Sequence, residues 1–383
     1  MSGRLLRLVC TAAVTAGALL APTPATAVPD PGPATGAAVG EPGQRSVAAL
    51  LTDLQRLYRD AERATETYNG TAEKLKEQRA EVSRLDAGLA KARLSLHDSR
   101  GAAGRLARQQ YQNSGEISSY VRLLLARDPQ HALDEGHLIG QLSLERAGTV
   151  ERVVGSERKA DALARAARKA LDGQLTLAQR QKKERDDVRK RLKDVEELLA
   201  SLTVDQLAEL DRFEKSGAAE AQKKFMASGA LSSKKRPSQE GEAALRYAVR
   251  QIGKPYQWGA QGPKSYDCSG LTSQAWQRAG QPIPRTSQEQ WAQLPRIPLS
   301  ELRPGDLVIY FPEATHVAMY LGDGMVVQAP RPGTKIKVSP IAANPLLGAV
   351  RPDPGGQPLR RYRPPKLPQG ATSGSNEGYR SAP

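Results

Sequence analysis

From Val47 to Gln110 the chain keeps one heptad register without a break: Leu50, Leu54, Leu57, Ala61, Ala64 and Tyr68, then Leu75, Val82, Leu85, Leu89, Ala92 and Leu96, alternate by three and four. Thr71, Gln78, Ser99 and Gln110 are the polar exceptions, and the positions between are mostly charged. That pattern is a coiled-coil seam. At about 1.5 Å per residue it predicts a rod on the order of 95 Å long, which no single compact globule accommodates. Asn113-Ser114-Gly115 breaks it. A leucine-rich stretch over 117–142 follows, interrupted by Asp128-Pro129, and reads as short helices at the end of a hairpin. A second long helix is expected from about 143 to 227. Two long helices joined by a compact tip suggest an antiparallel intramolecular coiled coil over 44–227. A parallel homodimer is the alternative, because heptads alone do not fix orientation. His131 and His137 in the tip lack a third ligand, so no metal is expected there.

Composition supports a mostly helical, solvated molecule: of 383 residues only 4% are aromatic. The first 27 residues read as a signal peptide, with Arg4 and Arg7 before an apolar run from Leu5 to Leu20 and Ala25-Thr26-Ala27 as the cleavage site. The run is shorter than the roughly 20 residues a membrane span needs, and prolines follow it. Residues 28–43 form a flexible Pro/Gly/Ala lead-in. The expected mature protein is secreted, and Cys10 leaves with the signal. A net charge of +15 favours polyanionic partners. With no stacking or groove-reading motif, anionic cell-envelope polymers fit better than nucleic acid.

Residues 228–240 are a Ser/Lys/Gly linker, and from 241 to 352 the texture changes to short β-runs separated by turns after a helical start, an α+β domain. Residues 353–383 are Pro/Gly/Arg-rich and expected to be a disordered basic tail. Within the domain stands Cys268, the one cysteine left after export. An unpaired thiol outside the cytosol needs a reason. Leu271, Ala275, Trp276 and Ala279 place it at a helix N-terminus, with Asp267 as the N-cap. The helix dipole there favours the thiolate. His316 opens a strand-like run, so the domain holds the thiol and base that nucleophilic catalysis requires. A buried structural thiol is the plainer reading of Cys268 alone.

Five ordered blocks carry a resemblance: Pro255-Tyr256-Gln257-Trp258-Gly259, Asp267-Cys268-Ser269-Gly270-Leu271, Pro284-Arg285-Thr286-Ser287, Pro304-Gly305-Asp306-Leu307-Val308 and His316-Val317-Ala318-Met319-Tyr320-Leu321-Gly322. In this order and spacing they resemble the NlpC/P60 family of cell-wall cysteine peptidases. The resemblance implies a papain-like core in which Cys268 attacks a peptidoglycan stem peptide, at the bond between D-Glu and the diamino acid, with His316 as base. It implies Tyr256 beside the nucleophile, and Asp267 and Ser269 holding the free amine of a trimmed stem peptide. Arg285 is a candidate for a substrate carboxylate, or a solvated loop residue. No metal or organic cofactor is implied. The third triad position, commonly His or Glu in the family, is Gln328 here. A hairpin loop centred on Gly322 would set it opposite His316, where its carbonyl can fix the imidazole tautomer without contributing charge.

The helical half resembles coiled-coil division hydrolases, which are held off by their own helices and activated through a division-associated, ABC-transporter-like membrane complex. The expectation is that the hairpin or linker covers the cleft around Cys268. Alternatives are an adaptor with a decayed catalytic domain, a papain-like amidase cutting the sugar–peptide link, and an amine acyl-transferase.

Overall fold

The computed structural model describes residues 46–112, 121, 124–125, 128–231 and 235–372. The expected signal peptide, the lead-in, the break at 113–115, residues 232–234 of the linker and residues 373–383 of the tail lie outside them.

Helix α1 spans Val47–Gln112 and helix α2 spans Pro129–Ala200. They pair antiparallel within the chain: Leu54 and Tyr58 pack on Val195, Leu85 and Leu89 on Ala167 and Ala170, and Arg100 meets Glu157 at 3.0 Å. The heptad seam is therefore satisfied internally. Small alanines on α2 opposite leucines on α1 let the helices approach closely.

Two local signals set helix ends differently from the sequence reading. Asp128-Pro129, expected as an interruption, starts α2 instead: the Asp128 side chain accepts from the His131 N–H at 2.8 Å, and proline occupies the first turn. The second long helix is divided at Ser201-Leu202, where Thr203 and Gln206 form a reciprocal capping box that opens α3, Val204–Ala227.

The C-terminal domain contains helices α4 (Gln239–Val249), α5 (Cys268–Arg278) and α6 (Ser287–Gln293) and a six-stranded sheet. Its strands are β1 (Arg296–Ile297), β2 (Leu307–Tyr310), β3 (His316–Gly322), β4 (Met325–Gln328), β5 (Lys337–Pro340) and β6 (Leu346–Val350), ordered β1-β6-β2-β3-β4-β5 and antiparallel throughout. Leu307, Ile309, Val317, Met319 and Val327 on one face pack on Leu245, Leu271 and Trp276 of α4 and α5. The other face, with Val308, Tyr310, Tyr320 and Val326, receives Phe225 of α3 and Leu231. Both faces are covered, so β2 is buried along its whole length and β3 from His316 to Tyr320.

The domain begins earlier and ends later than composition suggests. Ser238 caps α4, its hydroxyl accepting from the Gly241 N–H at 2.8 Å and bonding Asp353, which Arg303 also holds at 2.8 Å. The Leu359 N–H donates to Pro237 at 2.9 Å, and the Val338 N–H to Ala371 at 2.8 Å. Residues 353–372, expected as disordered tail, are thus laid along the domain by backbone pairing, which a low apolar content does not reveal.

Candidate active site

Asp267 is the N-cap of α5 and puts Cys268 at its first position. One Asp267 oxygen accepts from the Gly270 N–H at 2.6 Å and from Arg285 at 3.1 Å. The other accepts from the Gly259 N–H at 2.9 Å and from Arg285 at 2.7 Å. Arg285 also donates to the Ser269 hydroxyl at 2.8 Å. The Asp267–Arg285 pair is buried and satisfied on every side, a fork-to-carboxylate geometry that fixes the N-terminus of α5. Capping is therefore an observed role of Asp267, and in this state Arg285 is engaged with Asp267 and Ser269.

His316 begins β3 and is 1% exposed. Its Nε2 lies 2.7 Å from the Gln328 carboxamide oxygen. A carbonyl oxygen only accepts, so Nε2 carries the proton and Nδ1 keeps its lone pair, the tautomer a general base needs. Gln328 reaches this position along a different register from the expected one. The hairpin turns on Asp323-Gly324, both with positive φ, and not on a loop centred at Gly322. Met319 then pairs with Val327 and Tyr320 with Val326, with a bulge before Gly322. Gln328 thus sits diagonally across from His316, a separation a long side chain spans. Asp-Gly is the sequence signal for this tight turn.

Cys268 is 3% exposed, and its sulfur faces the Val317 N–H beside His316. Tyr256 is buried in the same core. The thiol does not behave as its helix position alone predicts. Burial, and then the carboxylates of Glu66, Asp267 and Glu62, push its pKa well above the ordinary thiol range, and the Val317 N–H offsets only part of that. Burial lowers His316 to about 4. Thiol and imidazole are both neutral.

The cause is helix α1. One face of it, Glu62, Thr65, Glu66 and Asn69, is buried against the domain. Glu66 Oε1 accepts from the Ser269 hydroxyl at 2.7 Å and stands 3.7 Å from the Cys268 sulfur. Glu66 Oε2 accepts from the Ser287 N–H at 2.8 Å. The Asn69 amide donates to Asp267 at 3.0 Å. Glu62 Oε1 lies 3.6 Å from His316 Nδ1, a buried atom without a hydrogen-bond partner among the described residues. Tyr68 meets Trp258 edge to face, ring centres 5.0 Å apart. A second clasp lies beyond: Arg331 pairs with Glu214 of α3 at 2.9 Å and covers the Tyr58 ring at 4.5 Å.

Sequence reasoning did not single out Glu62, Glu66 or Asn69. They occupy the charged positions between seam residues, which look the same whether they meet water or another domain. Among the described residues no cluster of His, Cys, Asp and Glu suits a metal ion, and no helix is long and apolar enough to cross a membrane.

Residues 253–347 match the model of the NlpC/P60 family. A probable endopeptidase of Corynebacterium glutamicum is 44% identical over 111 residues, 29% of this chain and 53% of the relative. A probable endopeptidase of Mycobacterium tuberculosis is 36% identical over 110 residues, 28% of this chain and 29% of the relative. The chain spans about half the length of the first of these relatives and less of the second. Among solved structures, the NlpC/p60 domain of the peptidoglycan hydrolase SagA is 33% identical, covering 29% of this chain and 97% of that one, with a TM-score of 0.28.

Proposed function

We propose that this chain, whose residues 253–347 are an NlpC/P60 domain, is a secreted, cell-wall-associated peptidoglycan endopeptidase. It hydrolyses the stem peptide between D-Glu and the diamino acid through Cys268 and His316, and α1 holds it closed. One observation carries the reading: Cys268 opens α5 beside the start of β3, where Gln328 fixes His316 in the tautomer that leaves Nδ1 free to accept a proton. The name "probable endopeptidase" given to the relatives supports the reaction class.

With α1 withdrawn, water and substrate replace Glu62 and Glu66. Removing those carboxylates lowers the thiol pKa, and the α5 N-terminus then favours the thiolate. His316 Nδ1 takes the Cys268 proton as sulfur bonds to the scissile carbonyl carbon. The imidazolium returns that proton to the leaving amine as the C–N bond breaks. A water, deprotonated by the same nitrogen, then releases the acyl group from sulfur.

Release is assigned to the hairpin. Leu124, Leu125, Leu133, Leu138 and Leu144 are exposed towards its tip, apolar surface suited to a partner. A division-associated, ABC-transporter-like membrane complex is the proposed partner.

The test is digestion of purified sacculi with products identified by mass, using the full chain, residues 235–383 and Cys268→Ala of each. The fragment starts at 235 so that Pro237 and Ser238 keep their pairing with Leu359 and Asp353. D-Glu-cleaved fragments from the short form alone, absent with Cys268→Ala, support the reading. Release of intact stem peptides makes it an amidase, and no cleavage by either form makes it an adaptor.

A further inference from the structure

The manner in which α1 fills the cleft is more specific than steric cover. An inert plug would need no charged or amide group of its own. Instead, α1 places a carboxylate and a carboxamide N–H, three residues apart on one helix face, against polar groups of the cleft wall. The Glu66 carboxylate is held at both oxygens, by the Ser269 hydroxyl at 2.7 Å and the Ser287 N–H at 2.8 Å. Glu66 is 2% exposed, and the Ser287 hydroxyl beside it is buried without a partner among the described residues. The Asn69 N–H takes the remaining acceptor position on Asp267, whose other partners belong to the domain itself.

Buried donors and acceptors of this kind cost free energy when unpaired. When α1 withdraws, water covers these groups, and a ligand that displaces that water from the cleft must pair them again. A ligand that satisfies both must therefore present an anionic oxygen pair to Ser269 and Ser287 and an N–H donor to Asp267. Its electrophilic carbon must lie close by, because Glu66 Oε1 is 3.7 Å from the nucleophilic sulfur.

We propose that Glu66 and Asn69 imitate the acyl side of the substrate, Glu66 standing for a free carboxylate next to the scissile bond and Asn69 for an amine or amide N–H, so that α1 is an internal competitive ligand. This rests on the peptidase reading above and adds to it the form of the regulation. Helix and stem peptide then exclude one another at the same polar seats, and each weakens the other's binding by the same factor.

The experiment uses the full chain with Glu66→Gln, Asn69→Ala and the double variant. Glu66→Gln keeps size and helix propensity but turns one oxygen that accepts into an NH2 that faces a donor. Two quantities are read: iodoacetamide alkylation at Cys268, followed by peptide mass so that Cys10 does not interfere, and KM and kcat on a soluble stem peptide. Competition predicts about tenfold faster alkylation for each single variant, with KM falling by a similar factor and kcat within twofold of the parent. Unchanged alkylation in folded variants overturns the proposal. So does equal protection of Cys268 in the double variant by a stem peptide and by the same peptide with its free carboxylate amidated. A lid that only occludes the cleft gives the same fall in KM without a carboxylate seat. If alkylation quickens but the folded full-chain double variant cuts no stem peptide, the peptidase reading fails and the mimicry with it.

Discussion

Glu66 Oε1 lies 3.7 Å from the Cys268 sulfur across 202 residues of sequence, held there by hydrogen bonds to Ser269 and Ser287. A carboxylate at that distance opposes the thiolate that catalysis needs, and burial removes the water that would screen it. On the proposed reading, the closed form is silenced for an electrostatic reason as well as a steric one.

The acid on the other side of the pair is expected to make closure depend on pH. Burial, opposed by Arg331 and reinforced by Glu66, raises Glu62 from 4.5 to about 8. Cys268, His316, Tyr256 and Arg59 are its other titratable neighbours. Released into water, Glu62 returns towards 4.5. Between these values the closed form keeps a proton that the released form gives up, so rising pH favours release, by at most roughly tenfold per unit, and the preference is flat outside the window. Glu62→Gln resembles the protonated acid and lacks this titration. The ratio of Cys268 alkylation in the parent to that in Glu62→Gln should rise from pH 5 to pH 8. A constant ratio would show that Glu62 takes no part.

The Arg331 clasp should hold the closed form by a modest amount. Its pairing with Glu214 is half-exposed and its stacking on Tyr58 is a single cation–π contact, together about 1–2 kcal/mol. Arg331→Ala is expected to quicken Cys268 alkylation about tenfold while leaving residues 235–383 as stable as before. Equal alkylation in parent and variant would place the clasp outside the locking contacts.

Gln328 orients His316 without adding charge, so its removal should act on kcat. In residues 235–383, Gln328→Ala is expected to lower kcat about 10- to 100-fold with little change in KM, because the imidazole loses the acceptor that fixes its tautomer. Gln328→Glu would supply a carboxylate to Nε2, raise the imidazole pKa and move the pH–rate profile. A Gln328→Ala enzyme with parental kcat would assign the orienting role elsewhere.

Gly270 is needed for space. A Cβ there would fall against the Ala260 carbonyl and 2.7 Å from Asp267 Oδ1, within the cap that positions Cys268. Gly270→Ala should destabilise residues 235–383 by about 3 kcal/mol in chemical denaturation. Parental stability would mean that the 257–260 turn yields.

The parts legible from sequence are those written in short-range spacing. The seam of α1 follows from periodicity, because one face of a helix recurs every three or four residues whatever distant segment it packs on. Asp267 before Cys268 gives the helix start, and the five blocks that resemble NlpC/P60 give the domain. The Asp128-Pro129 cap, the Thr203–Gln206 box and the Asp323-Gly324 turn were equally local signals, and they set boundaries and a register that apolar periodicity alone placed differently. What tertiary structure alone decided is which face of α1 meets Cys268 and His316. Glu62, Glu66 and Asn69 lie off the seam, and a polar residue there has the same sequence signature in water as against a buried serine and histidine. Burial then reverses their chemistry: carboxylates that would ionise freely in solvent become weak acids, and the thiol they face is kept neutral. Local spacing encodes the rod and the nucleophile, while the state of the nucleophile depends on desolvation, which exists only once distant segments meet.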